Sequence, residues 1–250
     1  MRKHLLPLIP FVLLLLAWQG AVMSGRWSPY LLPAPERVCE TAEHMLANGE
    51  LARHTAISLL RVVRGFLWAF GLAAFFSVGS LLFPLLKKLD RGIFSVLQHI
   101  PPLALIPLLI LWCGIGELPK TVIIVLATFF PIYLNMEASI LRCDPKLIEL
   151  GWLLGMGPLE QLYRIRVPSA LPYILTGVRV GLGYSLRAII GAEMIAADSG
   201  LGFLILDAQT MSRSDKVIIG IIAIGILGFL IDGFFAALSW YLLPYERRRT

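Results

Sequence analysis

Apolar residues gather into six runs along the chain, each near the roughly 20 residues that cross a bilayer core, and polar residues collect between them. The runs fall at residues 5–23, 57–86, 93–113, 122–141, 171–197 and 217–243. Each predicts a membrane-spanning helix, so the pattern predicts an all-α, polytopic membrane protein. MRKH ahead of the first run also suits a secretory leader. That run is long for one, at about 19 residues, and no small-x-small cleavage site follows it, so an uncleaved anchor is expected. Between the first two runs, PAPERVCETAEHMLANGE predicts a short amphipathic helix on the external membrane interface. Val38, Ala42, Met45 and Leu46 share one face, and Asn48-Gly49 ends it. Pro101, Pro102, Pro107 and Pro131 fall inside runs and must break or kink them. Lipid tolerates that only where neighbouring helices or a cavity satisfy the freed backbone groups, so packing and a pathway-lining role both account for these prolines.

One polar interval differs from the others. Residues 144–172 read DPKLIELGWLLGMGPLEQLYRIRVPSALP, rich in charge, glycine and proline yet helical in period. Asp144-Pro145 predicts a helix start, because the carboxylate accepts from free N–H groups and proline suits the first helical position. That helix runs to about Leu154, with Leu147, Leu150 and Leu154 on one face, and Gly155 stops it. Gly157-Pro158 starts a second short helix with Leu159, Leu162 and Tyr163 on its apolar side, ending before Pro168. The product is a helix–turn–helix elbow whose apolar sides require a partner. A DNA-binding helix-turn-helix is the rival reading, but the elbow is tethered to spans at both ends and has few phosphate-reaching cations.

Composition agrees with the membrane reading. The chain is 58% hydrophobic and 15% charged, with a mean hydropathy of +0.79, whereas soluble domains carry about a quarter charged residues. The net charge of +6 needs no nucleic acid, because membrane proteins collect Lys and Arg in cytoplasmic loops. Six crossings from a cytoplasmic N-terminus put Arg2, Lys3, Lys87, Lys88, Arg91, Arg142, Lys146, Arg164, Arg166 and Arg247 to Arg249 inside. Only Asp90, Asp144, Glu149, Glu160 and Glu246 oppose them there, so both termini and the elbow are expected in the cytoplasm. Arg61 and Arg64 fall near the outer end of the second run and are expected to belong to an amphipathic lead-in helix or to snorkel outward.

Reaction chemistry is sparse. Cys39, Cys113 and Cys143 make no CxxC pair, and the four histidines (His4, His44, His54, His99) are scattered, so no metal site is expected. GIGELPKT, residues 114–121, has Pro119 where a phosphate-binding loop needs glycine. No catalytic residue and no ATP-binding motif is read from the chain. An ion-coupled secondary transporter is the alternative function and predicts internal inverted repeats, of which none is visible. An integral-membrane enzyme would cluster His or acids at membrane depth, and Glu137, Glu193 and Asp232 are spread over three runs.

The frame Glu149, Gly155, Ile165, Pro168 resembles the EAA loop of permease subunits of binding-protein-dependent ABC importers, which runs E-A-A-x-x-x-G, nine residues, I-x-L-P. Leu150 and Gly151 stand in place of the two alanines, and Val167 in place of the leucine. IPPLALIPLLILWCGIGELPK at 100–120 and GAEMIAADSGLGFLI at 191–205 are similar to the sulfonate, taurine and nitrate branch; ANGELARHTAIS at 47–58 and FPIYLN at 130–135 lean toward aliphatic sulfonate permeases. The resemblance implies a type I ABC importer permease fold and a division into residues 1–55 (anchor and external helix), 56–243 (permease core) and 244–250 (basic tail). It implies an inner-membrane transport subunit rather than an enzyme, which moves a small anion such as an aliphatic sulfonate, taurine or nitrate. It implies a cytoplasmic ATPase dimer that binds the ATP and Mg, an external solute-binding protein and a second copy of the permease, with no cofactor in this chain. The coupling residues it implies are Glu149, Gly151, Gly155, Gly157, Ile165 and Pro168.

Arg187 and Glu193 are candidate pathway residues. Arg187 lies about 24 Å along the fifth run from Leu171, well inside the membrane, where a cation is costly and marks function by default. Family members carry small or apolar residues at this position, so the resemblance assigns it no role. An internal salt bridge to Glu193 or Asp232 is expected on one account, and a guanidinium facing an anion pathway on the other.

Overall fold

The chain's apolar runs become helices whose lengths and breaks follow from where glycine, proline and small residues fall. The computed structural model describes residues 9–83, 86 and 90–242; the basic tail at 244–250 and Arg2, Lys3, Lys87 and Lys88 lie outside them. Among the described residues every regular element is helical. Helix α1 (Ile9–Met23) is apolar on all sides and buries none of its residues. The Trp18 indole N–H donates to the Pro33 carbonyl at 3.1 Å and ties α1 to the segment before α2 (Pro35–Ala47). α2 starts on a proline and ends at Asn48, ahead of Gly49 at φ +75°. It does not lie alone on a membrane surface: Val38 and Met45 are buried against Leu204 and Ile219, and the Thr41 hydroxyl donates to Asp215 at 2.9 Å. Leu46, expected on the apolar face, is exposed.

Helix α3 (Glu50–Leu82) begins earlier than its hydropathy does and runs unbroken through residues 55 and 56. Its buried side carries Ser58, Arg61, Val62, Gly65, Ala69, Ala73 and Ser77, small residues at helical spacing that let another backbone come close. The third predicted span is not one helix. A π turn (Asp90–Phe94) and a single turn (Ser95–Leu97) end before Pro101, and a 3-10 turn (Pro102–Leu105) leads into α4 (Ile106–Cys113). Consecutive prolines remove two donors and force extended backbone between them, which ends the helix there.

Helix α5 (Glu117–Leu141) forms the centre, with α3 packed on one side and α8 (Val167–Ala196) on the other. Gly177 and Gly181 of α8 mark the close approach: a Cβ there would stand 2.6 Å from Asn135 Cβ and 2.7 Å from Ile132 Cγ1 respectively. Val62, Ile124, Leu182 and Ile189 fill this three-helix core. Phe76, Phe94, Phe129 and Tyr133 pin the π turn to α5 through edge-to-face and stacked rings. Between α5 and α8 lie α6 (Pro145–Leu153) and α7 (Pro158–Gln161); after α8 come α9 (Leu201–Thr210), which the hydropathy pattern does not predict, and α10 (Ser214–Leu242). Among the described residues four helical stretches are long and apolar enough to cross a membrane (Glu50–Leu82, Glu117–Leu141, Pro158–Ala196, Ser214–Leu242), and the shorter apolar helices α1 and Pro102–Cys113 sit where the first and third spans are predicted.

Candidate functional site: an elbow, an ion cluster and a cavity

At one end of α5 and α8 the elbow forms as its residue types require. Asp144 accepts from the Lys146 N–H at 2.9 Å, Pro145 opens α6, and Gly155 takes φ +73° just past its end. Gly151 is buried where the second arm crosses the first: a Cβ there would stand 2.8 Å from Ile165 Cδ1 and 3.2 Å from Gln161 Cγ. The Gln161 amide donates to the Met156 carbonyl at 3.2 Å and holds the turn closed. Gly151 and Ile165 therefore meet across the hinge, and Gly155 and Gly157 lie in the turn between its two arms. Glu149 and Pro168 stand outside it, both exposed. Trp152, Leu153, Leu154 and Leu159 are exposed around the bend, Leu153 at 84%.

The second arm does not end before Pro168. α7 passes into a π turn (Leu162–Arg166) that continues directly into α8, so residues 158–196 form one helical rod. Proline lacks the N–H that a helix would otherwise have to satisfy, and the wider π turn gives its ring room beside the preceding carbonyls. Burial of Leu162 against Ile140 and Ala170 holds the junction to the end of α5.

The opposite end holds a buried ion cluster. Arg61 is not at a surface: it is 6% exposed and its guanidinium joins three elements. Nη1 donates to Glu193 Oε1 at 2.8 Å and to the Ser199 carbonyl at 2.6 Å, while Nε and Nη2 donate to the Glu117 carboxylate at 2.9 and 2.7 Å. Lys120 Nζ stands 3.0 Å from Glu117 Oε1. Glu193 is fully enclosed, with Ser58 Oγ 2.8 and 2.9 Å from its two oxygens and the Gly202 N–H donating to Oε2 at 3.0 Å. Gly200 closes the loop over it at φ +111°, and a Cβ there would fall inside the Glu193 carboxylate. His54 Nδ1 lies against the Gly200 backbone, 3.0 Å from its N–H nitrogen and 3.1 Å from its carbonyl oxygen. Just outside, the Ser199 hydroxyl holds the exposed Asp198 carboxyl below its ordinary range. Glu193 thus does not face a pathway; its charge is consumed inside the protein.

Arg187 makes neither expected salt bridge. Glu193 belongs to Arg61, and Asp232 accepts from Arg179 Nε at 3.0 Å. Among the described residues no carboxylate pairs with Arg187; its guanidinium lies 5.7 Å from the Tyr184 ring centroid. It lines a cavity of about 490 Å³ with Gln98, Pro102, Phe130 and Pro131, so the break at Pro102 and the proline inside the unbroken α5 both border open space. Nothing in the hydropathy pattern separates Arg187 from Arg61. The distinguishing signal lay on α3, where His54, Ser58 and Arg61 recur at helical spacing on one face of an apolar helix and announce a buried polar partner.

A family model described as "Binding-protein-dependent transport system inner membrane component" matches residues 60–239. The chain belongs to that family. It is 35% identical over 245 residues to a protein described as the aliphatic sulfonates transport permease SsuC of Bacillus subtilis (strain 168), covering 96% of this chain and 86% of that protein. It is 32% identical to the taurine transport system permease TauC of Escherichia coli (strain K12), covering 98% and 91%. To the nitrate import permease NrtB of Synechocystis it is 33% identical, covering 98% and 92%. A chain of the inward-facing MetNI methionine ABC transporter superposes with a TM-score of 0.65 at 18% identity, covering 81% of this chain and 98% of that one. The permease therefore has the type I ABC importer fold, is a multi-pass inner-membrane transport subunit rather than an enzyme, and works with an ATPase and a binding protein, as its family does.

Proposed function

We propose that two copies of this permease form the membrane pathway for a small oxyanion of the sulfonate, taurine and nitrate class. The observation that carries the coupling half of this reading is the elbow, whose hinge is buried while Trp152, Leu153, Leu154 and Leu159 stay exposed at its bend. Apolar side chains held outward by a rigid turn suit a groove on a partner. In this reading the elbow and both termini lie in the cytoplasm, Glu149, Gly151, Gly155, Gly157, Ile165 and Pro168 belong to the coupling loop, and the ATPase dimer binds ATP and Mg while this chain binds no cofactor. The Arg179–Asp232 pair supports the second copy. Its side chains are 49% and 58% exposed on one chain at membrane depth, where lipid contact is costly, and a second copy or a water-filled pathway would cover them. The substrate class rests on the sulfonate, taurine and nitrate relatives.

The test is co-purification of the permease with its ATPase and binding protein, followed by ATP hydrolysis and uptake across taurine, alkanesulfonates and nitrate. Binding-protein-dependent stimulation by one of these anions is expected. Glu149→Lys is expected to weaken ATPase association and to release hydrolysis from transport. Full association and normal uptake by that variant would remove Glu149 from the coupling surface.

A further inference from the structure

Resting on the reading of this chain as an oxyanion importer subunit, we infer that the Arg187 cavity is a transit site for aliphatic sulfonates, in preference to taurine or nitrate. Three observations converge on it. The first is charge. Arg187 lies deep in the rod at residues 158–196, and the acids that could neutralise it are engaged elsewhere, Glu193 by Arg61 and Asp232 by Arg179. A guanidinium at membrane depth without a protein anion calls for water or a ligand anion.

The second is geometry. The guanidinium carbon lies 5.7 Å from the Tyr184 ring centroid, within cation–π range, and both side chains line the cavity. The paired N–H groups of a guanidinium match two oxygens of a sulfonate. Gln98 also lines the cavity; its amide nitrogen donates one N–H to the Ser95 carbonyl at 3.3 Å and has a second.

The third is the remaining lining. Leu103, Leu126 and Phe130 make the cavity apolar away from Arg187, and none of its described lining residues is acidic. The volume of about 490 Å³ is that of a small-molecule site. An alkanesulfonate places its head on Arg187 and its chain on the apolar wall. Taurine brings an ammonium that finds no carboxylate in this cavity; Asp232 lines the adjoining cavity that also borders Tyr184 and Arg187, but it is held by Arg179. Nitrate has no apolar part to bury. The placement of Glu193 decides between them: with Glu193 beside Arg187 the cavity would offer both charges to a zwitterion, but that carboxylate is sealed in the Arg61 cluster.

The test is direct binding to the purified permease–ATPase complex without binding protein, by calorimetric titration with 1-butanesulfonate, ethanesulfonate, taurine and sodium nitrate. Butanesulfonate is expected to bind tightest, with up to about a fourfold gain per added methylene. Arg187→Gln should weaken butanesulfonate binding about tenfold or more while the complex still assembles, and Arg187→Lys should recover part of the loss. Phe130→Ser should weaken butanesulfonate more than ethanesulfonate and so flatten the dependence on chain length. The inference fails if Arg187→Gln binds as wild type does, if taurine or nitrate binds tighter than butanesulfonate, or if no anion binds. Loss of assembly in Arg187→Gln would also overturn it, as the mark of a structural role. A complex that couples to its ATPase and imports taurine, yet shows no Arg187 dependence, would leave the importer reading standing and remove only this site.

Discussion

At Gly155 the backbone sits at φ +73° with open space around the missing Cβ, so a substitution there meets strain rather than a clash. A β-branched residue in that region costs on the order of 1–2 kcal/mol, too little to unfold the subunit but enough to tilt the elbow. Gly155→Val is expected to give a stably inserted permease with uptake abolished; normal transport by that variant would sever the hinge from coupling. The ion cluster answers to different physics. Removing one partner of a buried pair strands the other charge, at a cost of about 3–5 kcal/mol. Arg61→Gln is expected to lower the thermal unfolding midpoint sharply, and Arg61→Gln combined with Glu193→Gln to recover most of the loss. Additive losses in the double variant would show that the two side chains act independently.

Among the elements, the long helices and the elbow could be read from the sequence because their signals are local: hydropathy over a window, Asp144-Pro145 at a start, Gly155 at a stop. The third span and α9 could not. Pro101-Pro102 was visible, but whether it kinks a helix or divides it depends on the partner that receives the freed carbonyls. α9 is too short and too close to α8 to stand out by hydropathy. The site was legible in the same measure. The hinge glycines were found by their spacing, whereas the fate of Arg61, Arg187 and Glu193 depended on which helix faces meet across more than a hundred residues. The π turn at Leu162–Arg166 was equally hidden, since a turn that admits Pro168 is set by packing of Leu162 on Ile140 and Ala170. Deleting Tyr163 is expected to restore a regular helix and to rotate the elbow about 100° against α8. ATPase association should then fall while membrane insertion is kept. Full association would mean that the turn has no part in aiming the elbow.

For the whole molecule the open question is what covers the Arg179–Asp232 face. Asp232→Ala leaves Arg179 uncompensated at membrane depth and is expected to reduce the two-copy species measured by light scattering in detergent. Arg179→Gln combined with Asp232→Asn should restore it. Unchanged assembly in the single variant would place the second copy on another face.

The unbroken helix from Pro158 to Ala196 spans 39 residues, about 58 Å at 1.5 Å per residue. A rod of that length behaves as a lever. A tilt of roughly 10° imposed at the elbow sweeps the far end through about 10 Å if the pivot lies near the elbow, and less as the pivot moves toward the middle. The far end carries Glu193, which is clamped by Arg61 to α3 and through Glu117 to α5. With the pivot at that clamp, the same tilt moves the elbow most and the shaft beside Glu193 least, so Arg187, about 9 Å along the rod from Glu193, shifts by only about 1.6 Å.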